Sequence, residues 1–448
     1  MTSKPESEGS TKRPGSKSPR PPRYPGPIVG PVRDFFRKLG PGLITGAADD
    51  DPSGISTYSV AGATAGFSML WLTLISTPMM AVIQGMCARI AMVTGEGLAA
   101  LMRKRLPAAI SYPLAALVIV ANTFNVGADL GGMADAAHLV LPVPVDAWVF
   151  FFGVGLIAAQ TWLSYAMIAR VFKWLTLTLF AYVVTAFVVR PPWLSVLFHF
   201  LVPHVEMNAG SLSTMVGVLG TTITPYLFFW QASLMVEEDK GAGNTTLASR
   251  RGTDKKAVAN MHTDVNAGMI FSNLVAFFII VTTGATLNAH GKHDIATAQQ
   301  AAEALKPLAG NFAALLFTLG MVGTGVLAVP VLAGSSAYVA AQTFRFREGL
   351  NESPRRAPKF YGILTAGIII GIGMNLLKID AIKALFWSAV LNGVAAVPLI
   401  AVIVWFASSK SIMGEWKSSL VARAWGWGTV ALMGAATIGM FYFFAKGS

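Results

Sequence analysis

The chain has 448 residues, of which 54% are hydrophobic and only 12% charged, and its mean hydropathy is +0.58. Soluble domains carry about 25% charged residues, so the composition excludes them and indicates a protein that crosses a bilayer many times. The net charge of +12 does not mark a nucleic-acid protein, because the basic residues sit in a tail and in loops between apolar spans. The single cysteine, Cys87, excludes a disulfide framework and a thiolate metal cluster.

Residues 1–38 are rich in Pro, Ser, Gly, Lys and Arg, and read as a disordered basic cytoplasmic tail with no signal-peptide core. Apolar windows of about 20 residues then fall near 40–66, 69–93, 109–138, 147–166, 167–189, 209–239, 262–288, 308–343, 358–377, 381–406 and 421–445. Eleven transmembrane helices are expected.

The first window is interrupted by Asp49-Asp50-Asp51-Pro52-Ser53-Gly54. Each mid-membrane charge costs about 2.5–3.5 kcal/mol on insertion scales. Pro52 removes a helical hydrogen bond and disfavours helical backbone at Asp51. Such a break is tolerated at membrane depth only where it lines a cavity or is buried in protein. A cation-binding broken helix is expected.

The loops between spans test the topology. Arg103-Lys104-Arg105 follow the second span, and Arg170 with Lys173 follow the fourth. Lys240, Arg250, Arg251, Lys255 and Lys256 follow the sixth. The eighth is followed by Arg345, Arg347, Arg355, Arg356 and Lys359, and the tenth by Lys410, Lys417 and Arg423. The alternate loops are poorer in Lys and Arg. The positive-inside rule therefore places the N-terminus in the cytoplasm and the C-terminus outside, in an inner (plasma) membrane.

Five spans after the first break, Gly220-Thr221-Thr222-Ile223-Thr224-Pro225-Tyr226 repeats the theme of glycine, hydroxyl and proline in mid-span. Two interrupted helices at matching positions of two halves point to an inverted-repeat transporter with its site between the breaks. Residues 39–190 form the first repeat, 209–406 the second, and 420–446 an appended helix. The broken helices expose carbonyls near Ala48–Asp50 and Thr221–Ile223. With the Asp51 carboxylate and the Thr224 hydroxyl they make an all-oxygen, net-negative site for Mg²⁺, Mn²⁺ or Ca²⁺. Adjacent helical residues point about 100° apart, so Asp49 and Asp50 are expected to line a vestibule or accept backbone N–H groups unless the segment unwinds.

These motifs, with Gly40-Pro41-Gly42 at the entry and Gly334-Ser335-Ser336, Gln342 and Glu348-Gly349-Leu350 after the eighth span, resemble the Nramp family of divalent-metal transporters over residues 35–406. The resemblance implies an all-α membrane protein with eleven helices. It further implies a LeuT-like 5+5 inverted repeat with broken helices 1 and 6 and one extra helix. The family's helix-1 pattern is Asp-Pro-Gly-Asn and its helix-6 pattern Ala-x-x-Met-Pro-His. Asp51 then matches the metal-binding aspartate and Thr221 the residue offering a carbonyl. Gly54 stands in place of the ligand asparagine, and Thr224 in place of the methionine whose sulfur favours transition metals. Tyr226 and Gln231 replace two histidines. In helix 3 Asp129 is retained, but Gly132 replaces a proton-linked glutamate; in helix 9 Ala366 replaces an arginine. Asn392 lies near a helix-10 glutamine position.

Asp51, Thr221, Thr224, Gly54 and Asp50 are thus the candidate metal residues. Asp129, Tyr226, Gln231, Asn392 and Asp49 are candidates for proton handling or support. Losing the thioether while keeping oxygens favours hard ions, and the missing His, Glu and Arg remove a titratable relay. The expected function is import of Mg²⁺, with Mn²⁺ as second ion, by alternating access with weak or no proton coupling. This resembles the family's magnesium branch. The alternatives are a proton-coupled Mn²⁺/Fe²⁺ Nramp transporter and a Na⁺-coupled small-solute symporter of the same fold. No cofactor is expected; the partners are the ion and the lipid bilayer.

Weaker signals remain. Glu237-Glu238-Asp239 at the end of the sixth span reads as an inner vestibule or as an ordinary solvated helix end. Asn122 and Asn125 share the neighbourhood of Asp129 and are placed to bond across helices. Asp51 and Asp129 lack the Tyr-Asp and Gly-x-Gly-Asp contexts of an intramembrane protease, so no enzyme is expected.

Overall fold

The computed structural model describes Gly46 and residues 48–163, 175–350, 352–377 and 379–447. Its long helices are α1 (Pro52–Ala65), α2 (Trp71–Thr94), α3 (Ala108–Val140), α4 (Val145–Trp162), α5 (Phe180–Val189) and α6 (Ala209–Thr222). They continue as α7 (Pro225–Gly241), α8 (Lys255–Thr286), α9 (Ala313–Phe344), α10 (Pro358–Asn375), α11 (Ala381–Ser408) and α12 (Leu420–Lys446). No strand occurs among the described residues. Among the described residues, eight helical stretches, with α6 and α7 taken as one, are long and apolar enough to cross a membrane. The basic tail, Arg170 and Lys173, and most of the leading half of the first span lie outside the described residues.

Two X-Pro pairs set the breaks. Proline disfavours helical backbone at the residue before it and is itself suited to a first helical position. Asp51 has φ −71° and ψ 171° and caps α1. Thr224 has φ −83° and ψ 133° and starts α7. The second interruption is therefore a clean restart of the helix after Ile223 rather than a proline kink.

Burial sorts the helices into centre and rim. Every residue of the apolar window within 209–241 is buried, against 22% in α4 and 28% in α12. Apolar residues such as Phe150, Phe151, Ile438 and Phe441 are exposed on those outer helices, as a lipid-facing surface requires. Around the centre, α1 packs on α8, α7 on α2, α3 on α9, and α6 on α11. The α6–α11 approach depends on glycine: a Cβ on Gly220 would lie 2.2 Å from the Ala389 carbonyl oxygen and 2.4 Å from the Gly393 nitrogen.

The connections segregate as the charge pattern predicts. At one end the Gly252 N–H donates to the Val93 carbonyl at 3.1 Å, and Arg250 Nε to the Gly95 carbonyl at 3.1 Å. Arg103 Nε reaches the Gln342 carbonyl at 3.0 Å, and Arg89 Nη2 reaches Ser418 Oγ at 2.6 Å. The connections after α2, α7, α9 and α11 therefore share one face. At the other end, Asn288 Nδ2 donates to the Ala63 carbonyl at 2.7 Å and Trp71 Nε1 to the His204 carbonyl at 3.1 Å.

The connections at that second end differ from simple loops. They contain the helix Trp193–Leu201 and a chain of short turns over 288–312 that includes Ala298–Ala302. The first exposes Trp193, Leu194, Leu197, Phe198 and Leu201, so it adds apolar surface at the rim without spanning. Within the second, Ala298–Ala302 is started by a Thr297–Gln300 capping box.

Candidate metal centre

In a helix the N–H of residue i bonds to the carbonyl of i−4, and proline has no N–H. Pro52 therefore leaves the Ala48 carbonyl without its helical donor, and Pro225 does the same to Thr221. The two breaks meet, because the Tyr226 hydroxyl donates to the Ala48 carbonyl at 2.9 Å across them. The hydroxyls of Tyr58 and Thr222 add a second tie at 2.9 Å. Ser335 Oγ on α9 holds the Tyr226 carbonyl at 2.9 Å.

Asp51 sits at the focus. Its Oδ1 accepts from the Gly54 N–H at 2.7 Å and from Ser53 Oγ at 2.6 Å. The carboxylate thus caps the positive end of α1. Its Oδ2 lies 3.0 Å from Asn125 Nδ2 and 3.4 Å from the Tyr226 hydroxyl. The side chain is fully buried. Gly54 leaves room beside it: a Cβ there would lie 3.2 Å from Thr221 Oγ1 and 3.5 Å from Asp51 Oδ1. Thr221 is also fully buried, and its hydroxyl has no hydrogen-bond partner among the described residues.

The neighbouring aspartates turn elsewhere. Ser272 Oγ on α8 lies 2.6 Å from Asp49 Oδ2 and 3.0 Å from Asp50 Oδ1. The Thr224 hydroxyl is 3.5 Å from Asp49 Oδ1. The segment therefore sends Asp51 towards α3 and α7, and the Asp49–Asp50 pair towards α8. Among the described residues no three of His, Cys, Asp and Glu converge as a metal-holding group. An ion here needs carbonyl, hydroxyl or amide oxygens beside the one carboxylate, which is a donor set for a hard cation.

The other expected residues are spread around this point. Asp129 on α3 is fully buried, and the Ser53 backbone N–H faces its carboxyl group. Asn392 on α11 precedes Gly393 at the α6 contact and is fully buried. Gln231 is buried on α7, one turn beyond Tyr226. Glu237 pairs with Lys240 Nζ at 3.1 Å. The backbone at Gly349 presses on it, since a Cβ there would lie 2.8 Å from Glu237 Oε1. Glu237 is thus covered by the 345–357 connection rather than open to solvent; Glu238 follows it on α7, at the same end of the molecule. A cavity of ≈ 520 Å³ lies at the opposite end, lined by Thr64, Ser68, His199, His204, Glu206 and Asn208.

Ser272 was not singled out from the sequence. Ser272-Asn273 is a polar pair inside an apolar run, and Gly268 lies four residues before it, a small-residue spacing that marks close helix contact. That signal was available. The role of Ser53 follows from its place after an N-cap aspartate, where hydroxyls bond locally.

Residues 42–443 match the family model described as natural resistance-associated macrophage protein-like. The divalent metal cation transporter MntH of Aeromonas hydrophila subsp. hydrophila is 28% identical over 416 residues, covering 90% of this chain and 95% of that protein. MntH of Ralstonia nicotianae is 30% identical over 306 residues, covering 65% of this chain and 66% of its own. Among solved structures, the Eremococcus coleocola manganese transporter has a TM-score of 0.72 at 18% identity, covering 93% of this chain and 87% of that one. MhsT, solved in complex with L-phenylalanine, has a TM-score of 0.55 at 11% identity over 91% of this chain and 98% of its own. At these identities the two structural likenesses establish the fold alone.

Proposed function

The chain belongs to the Nramp family, and from that premise we propose that it imports divalent metal cations, binding them at Asp51 between the two broken helices. One observation carries this reading. A buried carboxylate, and two carbonyls deprived of helical donors by Pro52 and Pro225, belong to breaks that meet at the buried centre of the molecule. The curated relatives are divalent metal cation transporters, and the manganese transporter that shares the fold makes Mn²⁺ the first ion to test. Mg²⁺ suits the oxygens gathered at the breaks, the Asp51 carboxylate and the hydroxyls of Thr221 and Thr224. We place both ions within the cargo range, with weak proton coupling as the finer expectation.

The five-plus-five repeat is part of the same proposal. In an inverted repeat the packing of span 1 on span 7 should be mirrored by that of span 6 on span 2, and α1–α8 and α7–α2 are such a pair. The shared face of the basic connections supports a cytoplasmic location for that face. The cavity beside His204 and Glu206 then opens outward. The test is thermal unfolding of the purified protein in detergent. Millimolar Mn²⁺ or Mg²⁺ should raise the unfolding temperature and amino acids should not, since only a ligand of the folded state stabilises it. Stabilisation by amino acids alone would contradict the reading.

A further inference from the structure

Three donors hold the Asp51 carboxylate: the Gly54 N–H and Ser53 Oγ on Oδ1, and Asn125 Nδ2 on Oδ2. The single proton of the Tyr226 hydroxyl goes to the Ala48 carbonyl at 2.9 Å, which leaves that hydroxyl 3.4 Å from Oδ2. The Gly54 N–H is fixed by the first turn of α1, and Ser53 is bound to the same turn. The donor on Oδ2 comes from another helix, so a cation that approaches Oδ2 competes with Asn125.

Asn125 lies on α3 and is fully buried. Its Nδ2 points at Asp51 while its Oδ1 has no hydrogen-bond partner among the described residues. A buried amide oxygen left without a partner is costly and calls for an explanation. A half-turn about the last side-chain bond exchanges the two branches of an amide at almost no change in shape. It would replace a donor to the carboxylate by a hard oxygen aimed at the same space. Asn122 Oδ1 on α3 is likewise without a partner among the described residues, but its Nδ2 reaches the Leu332 carbonyl at 3.4 Å, so of the two amides only Asn125 is aimed at Asp51. Across Gly54, Thr221 Oγ1 is another unpartnered buried oxygen.

We propose that Asn125 is a ligand of the transported divalent cation: its amide donates to Asp51 while the site is empty and turns its side-chain oxygen onto the ion when the site fills. This rests on the assignment of the ion to Asp51. Helix 3 then supplies the neutral side-chain oxygen that the glycine at position 54 does not. It also links ion arrival to the α1–α3 contact, because the hydrogen bond that joins Asn125 to Asp51 is exchanged for two bonds to one cation.

The test is equilibrium binding of Mn²⁺ to the full-length protein in detergent, with wild type, Asp51→Ala, Asn125→Leu and Asn125→Asp compared. Unfolding without ions checks that each variant is folded. If wild type binds no Mn²⁺, or Asp51→Ala binds it equally well, the Asp51 site itself is wrong, whatever Asn125 does. With that control passed, Asn125→Leu should weaken binding tenfold or more. Asn125→Asp retains an oxygen but cannot donate when ionised, and should bind within threefold of wild type or tighter. An Asn125→Leu protein that binds within threefold of wild type would overturn the proposal. So would an Asn125→Asp protein as weak as Asn125→Leu, the pattern of a residue that serves only as a donor. Should Asn125→Leu fail to fold, the Asp variant decides alone.

Discussion

At the residue scale, Asp51 combines two roles that substitutions can separate. As an N-cap it satisfies the Gly54 N–H, a contact for which replacement by alanine typically costs about 1 kcal/mol. As a carboxylate it places a charge beside Tyr226, the residue that joins the two breaks. Asp51→Asn keeps an oxygen for the cap and removes the charge. The expected result is an unfolding temperature within a few degrees of wild type together with loss of divalent-ion uptake, read in the same preparation. Wild-type uptake by Asp51→Asn would place the ion elsewhere. The residue was legible because three acids and a proline stand out in an apolar span. The direction each acid takes was not, because it depends on Ser272 and Asn125, which lie 223 and 74 positions away in the chain.

At the element scale, the connection between α9 and α10 is strapped to the helices beneath it. Gln342 Nε2 lies 3.2 Å from Ser233 Oγ on α7 and 3.5 Å from Glu348 Oε1, while its Oε1 accepts from the Ala100 N–H at 3.3 Å. The Tyr338 hydroxyl accepts from the Leu350 N–H at 3.2 Å. Burial raises the Glu348 carboxyl from its ordinary value to about 7; Glu237 pushes the same way, whereas Lys240, Arg250 and the Gln342 bond oppose. A carboxyl raised in the folded state favours folding when protonated, so its contribution is complete below the ordinary glutamate range. It is lost as pH climbs to about 7 and changes no further above that. Wild type should therefore lose unfolding temperature relative to Glu348→Gln between about pH 4.5 and 7, the window set by that shift. Parallel curves for the two proteins over that range would contradict the assignment. The glutamine–glutamate motif was visible in the sequence, but its function as a strap was not, since the partners Ser233 and Ala100 carry no pattern of their own.

At the scale of the whole molecule, the Lys and Arg distribution predicted which connections share a face, and the contacts at Gly95–Arg250 and Gln342–Arg103 bear that out. Among the described residues, eight of the eleven apolar windows coincide with stretches long and apolar enough to cross a membrane, because hydropathy and length define such helices. The short helices in the 190–208 and 288–312 connections escaped, because an apolar stretch of nine residues at a rim looks like a loop with a few hydrophobes. The ion's identity is the least legible property: an all-oxygen site accepts several hard cations, and the spacing of residues does not rank them. Mn²⁺ and Mg²⁺ flux into proteoliposomes, with internal pH recorded at the same time and Asp51→Asn as control, decides both where the ion binds and what moves with it. Saturable entry of divalent ions that Asp51→Asn abolishes, with little acidification, is the expected result. Entry that persists in Asp51→Asn would contradict the site, and strictly proton-coupled entry of Mn²⁺ without Mg²⁺ would contradict the reading of its chemistry.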